Sequence, residues 1–235
     1  MSKLAALDQL LEEYKQFDYH QDPLLKKRLH EAQDWLKARI LDTHTELFNR
    51  PENKLMADYF IHRLYGGPDF DPLAVQIERL LKYAHKAEKI IPENAIKTGL
   101  KSIGLAVLAM QLDEQVAKQL LKDYPADQSI DDEMMRLTLI KLDQAEQRLQ
   151  QLSLLDDLGV ALDKYMRSFL MHTAFKMCKG TAHKYNFQLM YEFIGEGFVA
   201  MKPMKSAADF IHAFTLKERE IVNNVHSGQA NPFRI

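Results

Sequence analysis

Ile103-Gly-Leu-Ala-Val-Leu-Ala-Met110 is apolar on every side of a helical wheel. A helix with no polar face belongs inside a shell of other helices. Gly104, with Gly99 one turn before it, lowers helix propensity but lets a neighbour approach closely. The segment reads as the central, most buried helix of the fold, started or kinked by Pro92 and closed by Tyr124-Pro125.

The flanking sequence has the same beat. Leu25, Leu29, Ala32, Leu36, Ile40, Thr43 and Leu47 step by three and four, placing one stripe on one side of a long helix. Asp22-Pro23 before it reads as N-cap and first helical residue. A shorter helix precedes it from Leu4 to Phe17. Pro51 opens a third that ends at Tyr65, where Gly66-Gly67 reverse the chain and Pro68 forbids continuation. Asp71-Pro72 repeats the start signal for a helix carrying Leu73, Ile77, Leu80 and Ala84.

Downstream, Ser129 with Asp132 reads as a capping box for a helix through Leu149. Another helix spans Leu154 to Cys178 and stops at Gly180. Gln188 to Met201 is next, ended before Pro203. Ser206 with Asp209 starts the last helix, with Phe210, Phe214, Ile221 and Val225 inward. No alternating strand, repeat or linker interrupts the series. The expected fold is all-α: a single-domain bundle of about eight or nine helices over residues 1–226, with a flexible tail at 227–235.

Bulk numbers exclude several classes. The 235 residues carry 31 Lys plus Arg against 33 Asp plus Glu, a net charge of -2, so no specific nucleic-acid binding is expected. Cys178 is the single cysteine, which excludes an intrachain disulfide and a thiolate metal cage and suits a reducing compartment. Asp8, Glu12 and Glu13 break the start as a signal peptide, and the uncharged run Ile103–Leu112 is short of the ~20 residues of a membrane span. A cytoplasmic protein without a transmembrane segment is the expectation.

Met56-Ala-Asp-Tyr-Phe-Ile-His-Arg-Leu-Tyr-Gly-Gly-Pro-Asp-Phe70 resembles the signature of the bacterial FFLEELY-motif proteins: an aromatic pair and a closing Leu-Tyr-Gly-Pro-x-Asp-Phe. Ala32-Gln-Asp-Trp-Leu36 with Arg39 fits the same family. Phe193-Ile-Gly-Glu-Gly-Phe-Val-Ala200, followed by Ala207-Ala-Asp-Phe-Ile211, resembles its C-terminal block. The resemblance implies a helical bacterial protein and assigns no reaction. The family's acidic pair falls here on His62 and Arg63, which removes any metal chemistry those carboxylates would support and fits a polar helix surface. The first motif also reads as a helix–turn–helix corner, in which Tyr59 and Phe60 pack, Tyr65 buries its ring and Asp71 caps the next helix.

Chemistry-bearing patterns are sparse. No Glu-x-x-His, Gly-x-Ser-x-Gly, Cys-x-x-Cys-His or phosphate-cradling glycine motif occurs, so no catalytic residue, metal or cofactor is assigned. Asp58 with His62, and Glu192 with Glu196, stand one helical turn apart, a spacing that exposed faces give constantly. His172 lies among Phe169, Leu170, Met171 and Phe175. Arg39, Tyr59, His62, Tyr65 and His172 are the candidate binding residues, should they converge on one cavity.

Charge is segregated more sharply than chemistry. Residues 127–163 hold nine acids and three bases, whereas 164–235 hold ten bases and five acids. Lys164, Arg167, Lys176, Lys179 and Lys184 form a run without an acid. Packing of this basic stretch against the acidic helix before it is one reading; an acidic partner, an anionic ligand or a membrane surface is the other. Two functions follow: a non-enzymatic module that binds a protein partner or itself, or a bundle that holds a small molecule or metal in its core, with oxidase-like activity as a variant.

Overall fold

The computed structural model describes residues 2–65, 70–86, 91, 93–166 and 168–235. Among them are eleven α-helices and no strand: α1 (Ala5–Lys15), α2 (Pro23–Thr43), α3 (Thr45–Phe48), α4 (Lys54–Tyr59), α5 (Phe70–Lys86), α6 (Glu93–Asp123), α7 (Asp132–Leu142), α8 (Ala145–Met166), α9 (Phe169–Lys184), α10 (Gln188–Met201) and α11 (Ala207–His226). The all-α class agrees with the sequence; the helices outnumber the eight or nine expected. A 3-10 turn (Asp18–His20) leads into α2, and a π-helical turn (Phe60–Leu64) extends α4. Gly66, Gly67, Pro68, Pro92 and Arg167, on which turn, start and charge readings fell, lie outside the described residues.

The extra helices come from breaks that hydrophobic spacing does not register. His44 separates α2 from α3, because its side chain is drawn into the core. Asp143 ends α7 in a left-handed conformation (φ 49°), which Asp tolerates better than most residues. Ser168 caps α9 by accepting from the Met171 amide, so the helix expected over 154–178 is two. Gly180 stops nothing; α9 runs on to Lys184. Other caps are as read: Asp22 accepts from the Leu24 and Leu25 amides at 2.9 and 3.0 Å. Asp131, and not Ser129, caps α7 through the Met134 amide.

Buried side chains form four contiguous groups. One joins Ile40, Phe48, Ile61, Met201, Phe210 and Phe214 across α2–α4, α10 and α11. A second joins Leu36, Leu120, Met135, Leu139, Ile221 and Phe233. A third joins Tyr19, Leu29 and Met110, and a fourth Leu7, Leu81 and Ile96. Pro232 and Phe233, in the stretch expected to be a loose tail, are buried, and the Phe233 ring meets Trp35 edge-on at 4.9 Å.

The most buried part of α6 is not Ile103–Met110, most of which is only half-buried, but the turns from Met110 to Leu120. There Val116, Ala117 and Leu120 have no exposure, and Asp113 and Glu114 are carried in with them. By length and composition α6 also meets the requirement for a membrane span, with mean hydropathy 1.2 over its best 18-residue window, 17% of which is buried. Its glycines are not close-approach sites. Nothing lies within 4 Å of where a Cβ on Gly99 would sit, and Gly104 meets only Leu10 Cδ1, at 3.7 Å. Close approaches occur elsewhere: a Cβ on Gly159 would lie 2.8 Å from Ile211 Cδ1, and one on Gly197 3.3 Å from Tyr59 Cζ.

Gly197 brings the two family-like blocks together. The Tyr59 hydroxyl donates to the Phe193 carbonyl at 2.9 Å, and Arg63 Nε to Glu196 Oε2 at 2.6 Å. Gly99→Ala is expected to stabilise the protein by about 0.5–1 kcal/mol, since it adds helix propensity in open space. Gly197→Leu is expected to destabilise it by about 1–3 kcal/mol by overpacking the Tyr59 ring. Urea unfolding of the two variants beside wild type checks both signs.

Candidate functional site

α2 delivers Gln33 and Arg39 to the interior, and the α2–α3 junction delivers His44. α11 supplies Glu218 opposite them, on the same side as Phe214, Ile221 and Val225. The stripe that buries hydrocarbon thus buries a carboxylate as well. Arg39 Nη1 donates to Glu218 Oε1 at 2.5 Å and His44 Nε2 to the same oxygen at 2.8 Å. His44 has no exposure and stands among the rings of Phe48 and Phe214, with centroids 5.4 and 4.4 Å away. Burial alone would raise the pKa of Glu218; the Arg39 charge and the hydrogen bonds from His44 and Arg39 outweigh it and hold the carboxyl at about 2.

A second polar set adjoins the first. Gln33 Nε2 donates to Asp113 Oδ2 at 3.3 Å on the buried face of α6. Burial raises the pKa of Asp113, while the Arg148 charge and the Gln33 and Tyr65 groups oppose it. Burial likewise holds the Tyr65 hydroxyl protonated, within the electrostatic reach of Asp113, Arg148, Arg39 and Glu218. Between α2, α8 and α11 a half-enclosed cavity of about 70 Å³ remains, lined by Arg39, Arg148, Gln151, Glu218 and His226 together with Leu36, Leu139, Leu152, Ile221, Val222, Val225 and Phe233.

Of the five candidate residues, Arg39 and Tyr65 converge here and the other three do not. Tyr59 packs against α10. The His62 side chain is about two-thirds exposed, with Asp58 Oδ1 3.0 Å from its Nδ1. His172 lies against Phe198, centroids 4.5 Å apart, on the inner side of α9. The residues that complete the interior set, Gln33, His44, Asp113, Arg148 and Glu218, were missed. Their one sequence signal was a charged or polar side chain standing in a hydrophobic stripe, as Glu218 does between Phe214 and Ile221. Asp71 also has another role than the one read: it does not cap α5 but accepts from Tyr14 (2.6 Å), Tyr19 (3.1 Å) and Lys26 (3.1 Å), tying α5 to the N-terminal turns. Among the described residues no group of three His, Cys, Asp or Glu side chains is placed to hold a metal ion.

Among the described residues, no lysine of the basic stretch pairs with an acid of α8. Three acids of α8 have other partners: Asp156 with Arg219 at 2.7 Å, Asp157 with Lys101 at 2.8 Å, and Asp163 with Ser206 and the first amides of α11. α9 is fixed to α10 by Phe175, stacked on Tyr191 at 4.2 Å, and by His172. Its outward face carries Phe169, Leu170 and Met177, each at least three-quarters exposed, with Lys176 and Lys179, which make no ion pair among the described residues. Cys178 is exposed on the same helix.

Glu218→Gln is expected to lower stability by about 3–5 kcal/mol at neutral pH, because it leaves the Arg39 charge unpaired in the interior. A carboxyl whose pKa falls from 4.5 to about 2 on folding contributes about 3 kcal/mol. That contribution is fully present above about pH 4.5 and lost as pH falls towards about 2. Urea unfolding of both proteins at stepped pH checks this: the gap between them closes through that window.

No curated protein and no solved structure matches the chain. A family model does match, covering the helices that build both the interior polar set and the basic surface: across residues 16–232 the chain belongs to the family described as a domain of unknown function (DUF8198).

Proposed function

We propose that the protein is a non-enzymatic, self-associating module, in which the outward face of α9 on one copy seats on an acidic groove of the next. The observation that carries this reading is the unneutralised apolar and basic face of α9, on a chain that also holds its complement. That complement is an open groove of about 680 Å³ lined by Trp35, Phe233, Asp42, Asp131, Asp132 and Glu133, with Arg39 and Arg234 in its lining and Glu133 already paired with Arg136 at 2.6 Å. Trp35, half-buried over Phe233, offers ring surface to Phe169 and Leu170, and the acids face lysines. Asp42 is exposed in the last turn of α2, where the helix dipole disfavours an anion. A cation arriving there would be doubly favourable.

Such a contact joins two different faces, so it builds rings or short filaments and not twofold dimers. A cytoplasmic setting suits the exposed Cys178 thiol, which a reducing compartment would keep free. The Met56–Phe70 and Phe193–Ala200 blocks support a bacterial origin among the FFLEELY-motif proteins; they meet through Tyr59, Gly197 and the Arg63–Glu196 pair as a structural corner.

Light scattering after size exclusion tests the reading. Wild type at about 100 µM and low salt is expected above its monomer mass of 27.3 kDa, falling towards it in about 0.5 M salt as the charges are screened. Lys176→Glu with Lys179→Glu, and separately Asp42→Lys with Asp132→Lys, are each expected to be monomeric. Mixing the two double variants is expected to restore a pair, since one wild-type contact is then available. A wild-type monomer at low salt, or association unaffected by either double variant, would overturn the proposal. So would a monomer that binds anionic vesicles or an acidic protein through α9.

A further inference from the structure

Arg148 is a charge without a counter-ion. Its Nη2 donates to Gln144 Oε1 at 3.3 Å, its Nε is buried with no hydrogen-bond partner, and no carboxylate among the described residues lies within ion-pair distance. Asp113 acts on it through space, but the hydrogen bond of that carboxylate goes to Gln33. Arg39 faces the same cavity with one donor committed to Glu218 and its own Nε buried and unpartnered. Burial lowers the pKa of His226; Asp143 pulls it up and Arg148 pushes it down, so the imidazole faces the cavity without charge at neutral pH. Facing this space directly are therefore two guanidinium cations and one carboxylate, Glu218, already shared between Arg39 and His44.

Guanidinium donors form a planar fork that matches a carboxylate, and a charge left unpaired in a place poor in water is costly. The rest of the wall is aliphatic or aromatic: Leu36, Leu139, Leu152, Ile221, Val225 and Phe233. One end of the cavity thus asks for an anion and the other for a short apolar tail. A volume of about 70 Å³ is several times what one water needs, and too small for a nucleotide or a long acyl chain.

We propose that the cavity between α2, α8 and α11 binds a short-chain monocarboxylate, its carboxylate between Arg148 and Arg39 and its tail against Leu152, Ile221 and Phe233. The site is separate from the α9 face but shares Arg39 and Phe233 with the groove proposed to receive that face, so binding is measured on chain kept monomeric by the α9 variant. Arg148 sits in the first turn of α8 with one long hydrogen bond, so Arg148→Met removes a charge and little structure.

Thermal unfolding and calorimetric titration of the full chain with acetate, butyrate and inorganic phosphate test the proposal. About 10 mM butyrate is expected to raise the melting temperature saturably and more than acetate does, since binding to the folded state alone is stabilising. Arg148→Met is expected to fold with unchanged helix content, to be as stable as wild type or more so without ligand, and to bind butyrate at least tenfold more weakly. Arg148→Lys should fall between. Lys176→Glu with Lys179→Glu should bind as wild type does, which keeps this outcome independent of the surface reading. No butyrate response, a response to phosphate alone, or an undiminished response in Arg148→Met would each overturn the assignment.

Discussion

A carboxylate ionised in a nearly dry interior needs hydrogen-bond donors brought to it, and in this protein both arrive from the far side of the core. Glu218 stands on α11; Arg39 and His44 stand on α2 and at its junction with α3. Phe48 and Phe214 close around the imidazole, and the Phe210 ring stacks on Phe48 at 5.9 Å. A half-formed version of this arrangement would strand a charge away from water, at far greater cost than a misplaced methyl group. The pair therefore fixes the register of α11 against α2, and α11 in turn carries α8 through the close contact of Ile211 with Gly159.

The interior and the surface divide the work. Arg39, Arg148 and Glu218 lie on three different helices, so the cavity they border exists only when α2, α8 and α11 are assembled. α9 has the opposite character. Held by His172, Phe175 and Ala182 on its inner side, it leaves the rest of its circumference to solvent. Surface of that kind, apolar and of one charge sign, is uncommon on a helix that has finished finding its neighbours.

How much could be read beforehand differs element by element. The helical class, the Asp22 and Ser206 caps and the inward faces of α2 and α11 follow from local rules, because a 3.6-residue repeat and an N-cap oxygen act within a few residues. The helix count was short because Asp143 and Ser168 end helices by backbone conformation and capping at points where apolar spacing continues. The central helix was placed a turn or two early. Hydropathy ranks residues by transfer to hydrocarbon, so it passed over the turns where Asp113 and Glu114 enter the core with partners. Arg39 and Tyr65 were singled out in the sequence without the reason that matters, and Arg148 was not singled out at all.

By itself the sequence determined that this chain is helical, which faces of its helices are oily, and that its charges fall into an acidic and a basic block, since each of these is a property of residues near one another along the chain. Tertiary structure alone decided which polar residues meet. The Arg39–Glu218 and Gln33–Asp113 contacts join positions 179 and 80 residues apart, and no local periodicity carries information across such a span. It likewise decided that the α8 acids turn to Arg219, Lys101 and Ser206 while the lysines of α9 face outward, because which neighbour a charge finds depends on how helices cross and not on their order along the chain.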